Sequence, residues 1–290
     1  MTGLSPRTVR AVRPDRSNRL VLLALCLFTL YSVAPLWWLI VAATKDQAAL
    51  YQSNGLWFSG MHLWQNLKQL FHYNHGIFLR WTANSLLYAG VGSAGGTLIA
   101  LAAGYGLARF DFHGRRLAFG LVVVSFLIPT ALLTLPMYLL FSRAGLVDTV
   151  WAILIPAFIN PFSVYLAKVY TEASIPPELL EAARIDGAGE VRIFFSIVLR
   201  MMTTGAATVF LLAFVNTWNS FFLPLTMLRG ETKWTLVLGL YDWSGRRLET
   251  GVDLTSLVLT GALMSVIPLA VVMVAMQRYW RTGVTLGALK

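Results

Sequence analysis

Thirteen carboxylates, four histidines and one cysteine are the groups in this 290-residue chain that could carry acid–base, nucleophilic or metal chemistry. Their spacing assembles none of it. His62, His72 and His75 lie ten and three residues apart with no carboxylate or cysteine partner near them. A zinc site needs such partners, so an interfacial aromatic belt explains that segment better. No G-x-x-x-x-G-K-[ST], H-E-x-x-H or G-x-S-x-G occurs, which argues against a P-loop ATPase, a metalloprotease and an esterase. Gly187-Ala188-Gly189 follows no strand and is not a dinucleotide loop. Cys26 cannot form an internal disulfide alone and reads as apolar filler. The chain is therefore expected to be non-catalytic, with no metal site.

Two polar groups of residues remain. The first is the stretch 172–202. Pro177 suits the first turn of a helix, and Glu178 and Glu181 suit its positive end. Gly187 and Gly189 suit its termination. A second helix should follow, with Val191, Phe194, Phe195 and Val198 on one stripe. Such a unit is too polar to cross a bilayer, but it can lie on a membrane face and plug into a partner. Ala182 and Ala183 would allow close approach, and Glu181 could pair with a cation. An ordinary interfacial loop is the alternative. The second group is Asn216, Trp218 and Asn219, followed by Phe222. Asn216 and Asn219 share a helix face. They suit hydrogen bonds to a polar substrate, or equally to neighbouring helices.

The elements that position these groups are apolar helices. Residues are 57% hydrophobic and only 12% charged, too few charges to cover a water-facing surface. The charge-free stretches 20–44, 81–108, 117–142, 149–167, 201–228 and 254–277 each reach the roughly 18 residues of a spanning helix. Runs such as Leu121-Val122-Val123-Val124 do not alternate, which excludes barrel strands. The expected fold is an all-α membrane protein with six spans at about 20–43, 83–108, 117–141, 149–167, 203–226 and 255–277. The net charge of +10 reads as topology rather than as nucleic-acid binding. Placing both termini in the cytoplasm puts 15 Lys/Arg inside and 8 outside, in the sense of the positive-inside rule. Residues 1–19 form a basic cytoplasmic arm that could lie on anionic lipid, and residues 20–290 form the membrane domain. The first apolar run is too long for a cleaved signal peptide.

Within the spans, Gly92 and Gly96 form a G-x-x-x-G pair for close packing, inside the bundle or across an interface. Pro129, Pro136, Pro156 and Pro161 should kink spans three and four, as gate elements or as static bends. No span carries a central ionisable group, which argues against coupling to an ion gradient.

The stretch 172–202 resembles the pattern E-A-A-x3-G-x9-I-x-L-P of permease subunits of bacterial ABC importers. Glu181-Ala182-Ala183, Gly187, Ile197 and Leu199 match it, and Arg200 replaces the last proline. Without that proline the second helix would be free to continue towards span five. Residues 218–225 (Trp218-Asn219-Ser220-Phe221-Phe222-Leu223-Pro224-Leu225) and the tail from Gln277 are similar to the matching stretches of maltose-type carbohydrate permeases. Residues 1–19 lie outside the resemblance. It implies the ABC importer permease fold in the bacterial cytoplasmic membrane. It also implies a second homologous permease, two ATPase subunits that carry ATP and Mg, and an extracytoplasmic sugar-binding protein. Glu181, Ala182, Ala183, Arg184, Asp186 and Gly187 would couple to an ATPase; the segment 229–253, with Trp243, Arg246 and Arg247, would meet the binding protein. Two rivals are a self-sufficient facilitator and a structural membrane protein with no substrate.

Overall fold

The computed structural model describes residues 16–287, and every regular element among them is helical. The basic arm up to residue 15, the tail beyond residue 287 and the Arg247 side chain lie outside the described part. Helix α1 (Arg16–Ala43) is largely apolar; most of it is bare, and only its end, with Val41, Ala42 and Ala43, is buried against the rest of the chain. Two short helices follow, α2 (Gln47–Gln52) and α3 (Leu63–His72). The residues Asn74, His75 and Gly76, all at positive φ, turn the chain into α4 (Ile77–Arg109).

Helix α4 is the strut of the molecule. Its glycines settle what the G-x-x-x-G pair does. Gly92 and Gly96 lie against Ala157 of α7 (Trp151–Phe158), and Gly104 lies against Ala167 and Lys168 of α8 (Pro161–Ser174). Small residues here let helices of the same chain touch backbone to backbone. Between α4 and α7 come α5 (Arg115–Leu127) and α6 (Thr130–Arg143).

Proline does more than kink these segments. Span three is not one helix: α5 and α6 meet at 104°. Ile128 precedes Pro129 and sits at φ −76°, ψ 124°, because the proline ring drives the preceding residue out of helical geometry. The same cause separates α7 from α8, where Asn160 before Pro161 is extended and caps α8 by accepting the Ser163 N–H at 3.0 Å. Helix α9 (Pro177–Ile185) leads through the short α10 (Glu190–Ile193), a π-helical turn (Phe194–Val198) and α11 (Leu199–Met201) into α12 (Thr203–Trp218). Span five therefore stops at Trp218 and resumes as α13 (Phe222–Met227). The segment 229–253, expected as a loop, contains α14 (Leu236–Thr250), and α15 (Thr255–Gly287) ends the described chain. Among the described residues four helical stretches, Arg19–Ala43, Leu63–Arg109, Trp151–Ser174 and Thr255–Tyr279, are long and apolar enough to cross a membrane, and six crossings result if each bent pair counts as one.

The end of α4 away from α9 is locked by side chains on one of its faces. The Trp81 indole donates to the Glu231 carbonyl at 2.8 Å, Asn84 to the Thr232 and Trp234 carbonyls at 2.9 Å each, and the Tyr88 hydroxyl to the Lys233 carbonyl at 3.0 Å. Asp148 adds a second clasp. It takes the Lys233 ammonium at 2.7 Å and the N–H groups of Arg229 and Gly230 at 3.0 Å. The Lys233 hydrogen bond, with those N–H groups, holds the Asp148 carboxyl down at about 2 against the pull of partial burial. Its contribution is complete above the ordinary carboxylate range near pH 4 and disappears as pH falls through about 2. Asp148→Asn should therefore lower the melting temperature at pH 7, and the gap from the parent should shrink steadily as the pH is taken from 4 towards 2. A gap that is the same at both ends would detach the charge from the clasp.

Candidate functional site

Helix α9 has a start and a stop written into its residues. Pro177 occupies the first position, Glu178 the first turn and Arg184 the last. The stop is a Schellman turn: the Ala188 N–H donates to the Ala183 carbonyl and the Gly187 N–H to the Arg184 carbonyl, both at 3.0 Å. Gly187 closes it at φ +81°, and no atom lies within 4 Å of where its Cβ would stand. Glycine is needed there for its backbone rather than for space.

The two faces of α9 have different work. Leu180 and Ala183 are buried with Ala100, Leu101 and Tyr105 of α4, Ala167 of α8 and Val209 of α12. Glu178, Glu181, Ala182 and Asp186 face outward, and Ile185 is 86% exposed. The alanine pair is thus divided: Ala183 seats the helix on the bundle, and Ala182 lies on the free face. A polar tie supplements the apolar one. Arg184 Nε contacts Glu190 Oε1 at 2.7 Å, and the Tyr105 hydroxyl donates to Glu190 Oε2 at 2.9 Å. The Arg184 hydrogen bond holds the Glu190 carboxyl below its ordinary range, against partial burial. Arg109 at the end of α4 also reaches the Thr171 carbonyl at 3.2 Å and the Ile175 carbonyl, just ahead of α9. Residues 85 apart in sequence are joined here. Tyr105 and Glu190 were not singled out in the sequence, whose only signal was an acidic residue opening the second helix.

Two expectations about that second helix are corrected. The buried stripe is Ile193, Phe194 and Val198, whereas Val191 and Phe195 are exposed. The π-helical turn adds a residue to one turn and rotates the face that follows. Nor does the chain run straight on without the motif proline. Helices Glu190–Met201 and Thr203–Trp218 meet at 82° across Met202, which is buried in the same cluster. Tertiary packing makes the break that proline would have made locally. Ile185, Val191 and Phe195 are left exposed in this unit.

The group of Asn216, Trp218, Asn219 and Phe222 divides as well. Asn216, Asn219 and Phe222 are exposed, and the Asn219 amide donates to the Val215 carbonyl of its own helix at 2.9 Å. Trp218 is only 2% exposed and stacks on Phe214 at 5.8 Å. It belongs to the core and does not share their face. Phe222 lines an open cleft of about 390 Å³ with Thr134, Tyr138 and Thr226, which the sequence reading passed over. In the segment 229–253, Trp243 is 1% exposed against Tyr73 and Trp81. Its ring completes the core and is not available to a protein docking from outside. Arg246 is half-buried between Asp242 at 2.8 Å and Glu231 at 3.5 Å.

A model of the binding-protein-dependent transport system inner membrane component family matches residues 96–285, which include α9 and the bends on either side of it. The arabinooligosaccharides transport system permease protein AraQ of Halalkalibacterium halodurans is 34% identical over 215 residues, covering 74% of this chain and 75% of that one. The sn-glycerol-3-phosphate transport system permease protein UgpE of Yersinia pestis is 28% identical over 86% of this chain and 89% of its own length. The lactose transport system permease protein LacG of Rhizobium radiobacter is 28% identical, with 98% and 99% covered. The crystal structure of a bacterial ABC transporter that imports alginate contains a chain with the same fold, at a TM-score of 0.78 and 24% identity over 93% of this chain and 99% of that one. With several apolar helices and a family model matched over most of its length, the chain belongs to the binding-protein-dependent transport system inner membrane components and is a multi-pass permease subunit of the bacterial plasma membrane.

Proposed function

We propose that this chain forms half of the translocation pathway of an ATP-driven importer for a sugar or sugar derivative. The observation that carries the reading is α9: a helix fastened to the spans on one side and bare on the other. Two cytoplasmic ATPase subunits hold ATP and Mg, and one of them receives the bare face of Glu178, Glu181, Ala182 and Ile185 in a groove. Both termini lie in the cytoplasm, with six crossings. A second homologous permease completes the pathway, and an extracytoplasmic binding protein delivers the cargo. The kinship with permeases named for arabinooligosaccharides, lactose and glycerol phosphate supports a carbohydrate cargo.

Movement of the ATPase pair would pass to α4 through Leu180, Ala183 and the Arg184–Glu190–Tyr105 tie. The bends at Met202 and at Ile128–Pro129 are the elements able to change angle. Coupling requires such an element, biased from both of its sites. On the outer side, Arg246 and Arg247 are the contacts proposed for the binding protein, now without Trp243.

Purification of the tagged chain from membranes, with identification of the bound proteins, tests this directly. A second permease and an ATPase should copurify, and reconstituted uptake should require ATP. Flux through the purified chain alone would restore the facilitator reading, and a chain with no ATPase partner would end the importer reading. Asn219→Ala probes the pathway face: sugar uptake should slow or change selectivity at unchanged expression. Unchanged rate and selectivity would remove Asn219 from the pathway.

A further inference from the structure

The segment between α1 and α3 is built to enter lipid. No Asp, Glu, Lys or Arg occurs from residue 47 to residue 67. Leu56, Trp57, Met61 and Trp64 are each 62–78% exposed. The loop does not stand out into water but folds back along α1. The Trp37 indole donates to the Leu56 carbonyl at 3.1 Å, and the Trp37 ring packs on Trp57 at 5.9 Å and on Phe58 at 5.5 Å. Trp37 lies six residues before the end of α1 at Ala43, about 9 Å down the helix axis at 1.5 Å per residue. The surface of α1 is bare and apolar, as lipid requires, and the loop tip continues it.

Irregular backbone is excluded from the hydrocarbon core when its polar groups lack partners, so such a loop can reach only the boundary, where headgroups and water serve the rest. Here the protein supplies several of them. Asn54 Oδ1 accepts the Leu56 N–H at 2.9 Å, and the Trp37 indole satisfies the Leu56 carbonyl. The Ser53 N–H donates to the Ala49 carbonyl at 3.1 Å, and the Trp57 N–H to the Asn54 carbonyl at 3.4 Å. Lys45, 1% exposed, turns its ammonium inward to the Asn54 carbonyl and to Ser53 Oγ at 3.0 Å. Asn66 holds the other side by donating to the Ala43 and Lys45 carbonyls. The one ammonium and the Asn66 amide turn into the fold while the large apolar side chains point out, which is unusual for a solvated loop.

We infer that residues 54–64 form a wedge inserted into the leaflet at the far side of the membrane from α9, its partner being the lipid itself. Elements of this kind sit roughly 5–10 Å into the headgroup–acyl boundary, which matches the depth read from Trp37. The wedge fixes the tilt of α1 and the level of α3 in the bilayer. The inference rests on α1 crossing the membrane and does not depend on the cargo or on the ATPase.

The test uses the full chain, expressed with its neighbouring subunits in membrane vesicles, in a Cys26→Ala background. Cysteine is placed singly at Trp57, at Met61 and, as the aqueous control, at exposed Glu249. Met61→Cys keeps the test informative if Trp57→Cys fails to fold. The expected result is loss of modification by a membrane-impermeant maleimide at 57 and 61 but not at 249, with all sites reacting after denaturation. A spin label at 57 or 61 should be relaxed by oxygen more than by a water-soluble nickel complex, and a label at 249 the reverse. Modification at 57 and 61 as fast as at 249, or relaxation mainly by nickel, would overturn the wedge. Shielding from both oxygen and nickel would overturn it too, since a protein would then be covering the loop.

Discussion

Glu181→Lys is expected to cut uptake at least roughly 30-fold while the chain stays in the membrane at its normal level. The reasons lie on the two faces of α9. Glu181 is exposed and takes no part in the cluster of Leu180 and Ala183, so its replacement should leave the fold within about 0.5 kcal/mol. At a docked surface the same change sets a cation where a carboxylate met its partner. Disrupting a desolvated charge pair costs about 2–5 kcal/mol, and each 1.4 kcal/mol is a factor of ten. Gly187→Asp should give the same phenotype by another route. Gly187 sits at φ +81°, where a side chain costs roughly 1–2 kcal/mol. That is small beside the ~5–15 kcal/mol of a typical domain. The turn should survive in altered shape, with a new negative charge two residues from exposed Ile185. Labelled-sugar uptake, membrane level and the amount of copurified ATPase check both variants. Normal uptake at normal expression by either would contradict the docking assignment.

What the sequence made legible was local. The proline that opens α9 and the glycine that closes it are each decided by neighbours within a few residues, and both appear where expected; the apolar runs are helical, but three of them are broken. Non-local partners decide the rest. Trp218 and Trp243 look alike in the sequence to residues that face a ligand, yet both are core because Phe214, Tyr73 and Trp81 lie over them. The second helix turns a different face inward because of a π-helical turn that no residue spacing announces. Arg200 in place of proline did not straighten the chain, since the burial of Met202 sets the bend. The glutamate of the motif could be found by pattern. The Tyr105–Glu190 bond that fastens the motif to α4 could not, because 85 residues separate its ends.

The second large effect concerns the strut. A Cβ at Gly104 would lie 2.6 Å from the Lys168 backbone nitrogen and 2.7 and 2.8 Å from Ala167 Cβ and carbonyl carbon. Most of these are backbone atoms, so no rotamer change relieves the clash, and α4 and α8 must move apart. Separation opens the cluster in which Ala100, Leu101 and Tyr105 meet Ala167, the same cluster that seats Leu180 and Ala183 of α9. Overpacking of this kind costs about 1–3 kcal/mol and can exceed that when backbone has to yield. Gly104→Ala should therefore lower both the melting temperature in detergent and the membrane level, and Gly104→Leu should lower them further. Gly106, two residues on, gives the opposite sign. Nothing lies within 4 Å of its Cβ position, and alanine is a better helix former than glycine by up to about 1 kcal/mol. Gly106→Ala should leave the melting temperature unchanged or raise it. Because both sites share one helix and one substitution, helix propensity and hydrophobicity cancel in the comparison, and what remains is the contact between α4 and α8. Equal melting temperatures for the two alanine variants would mean that these helices do not approach as closely as described, and the path from α9 into the spans would then have to be sought elsewhere.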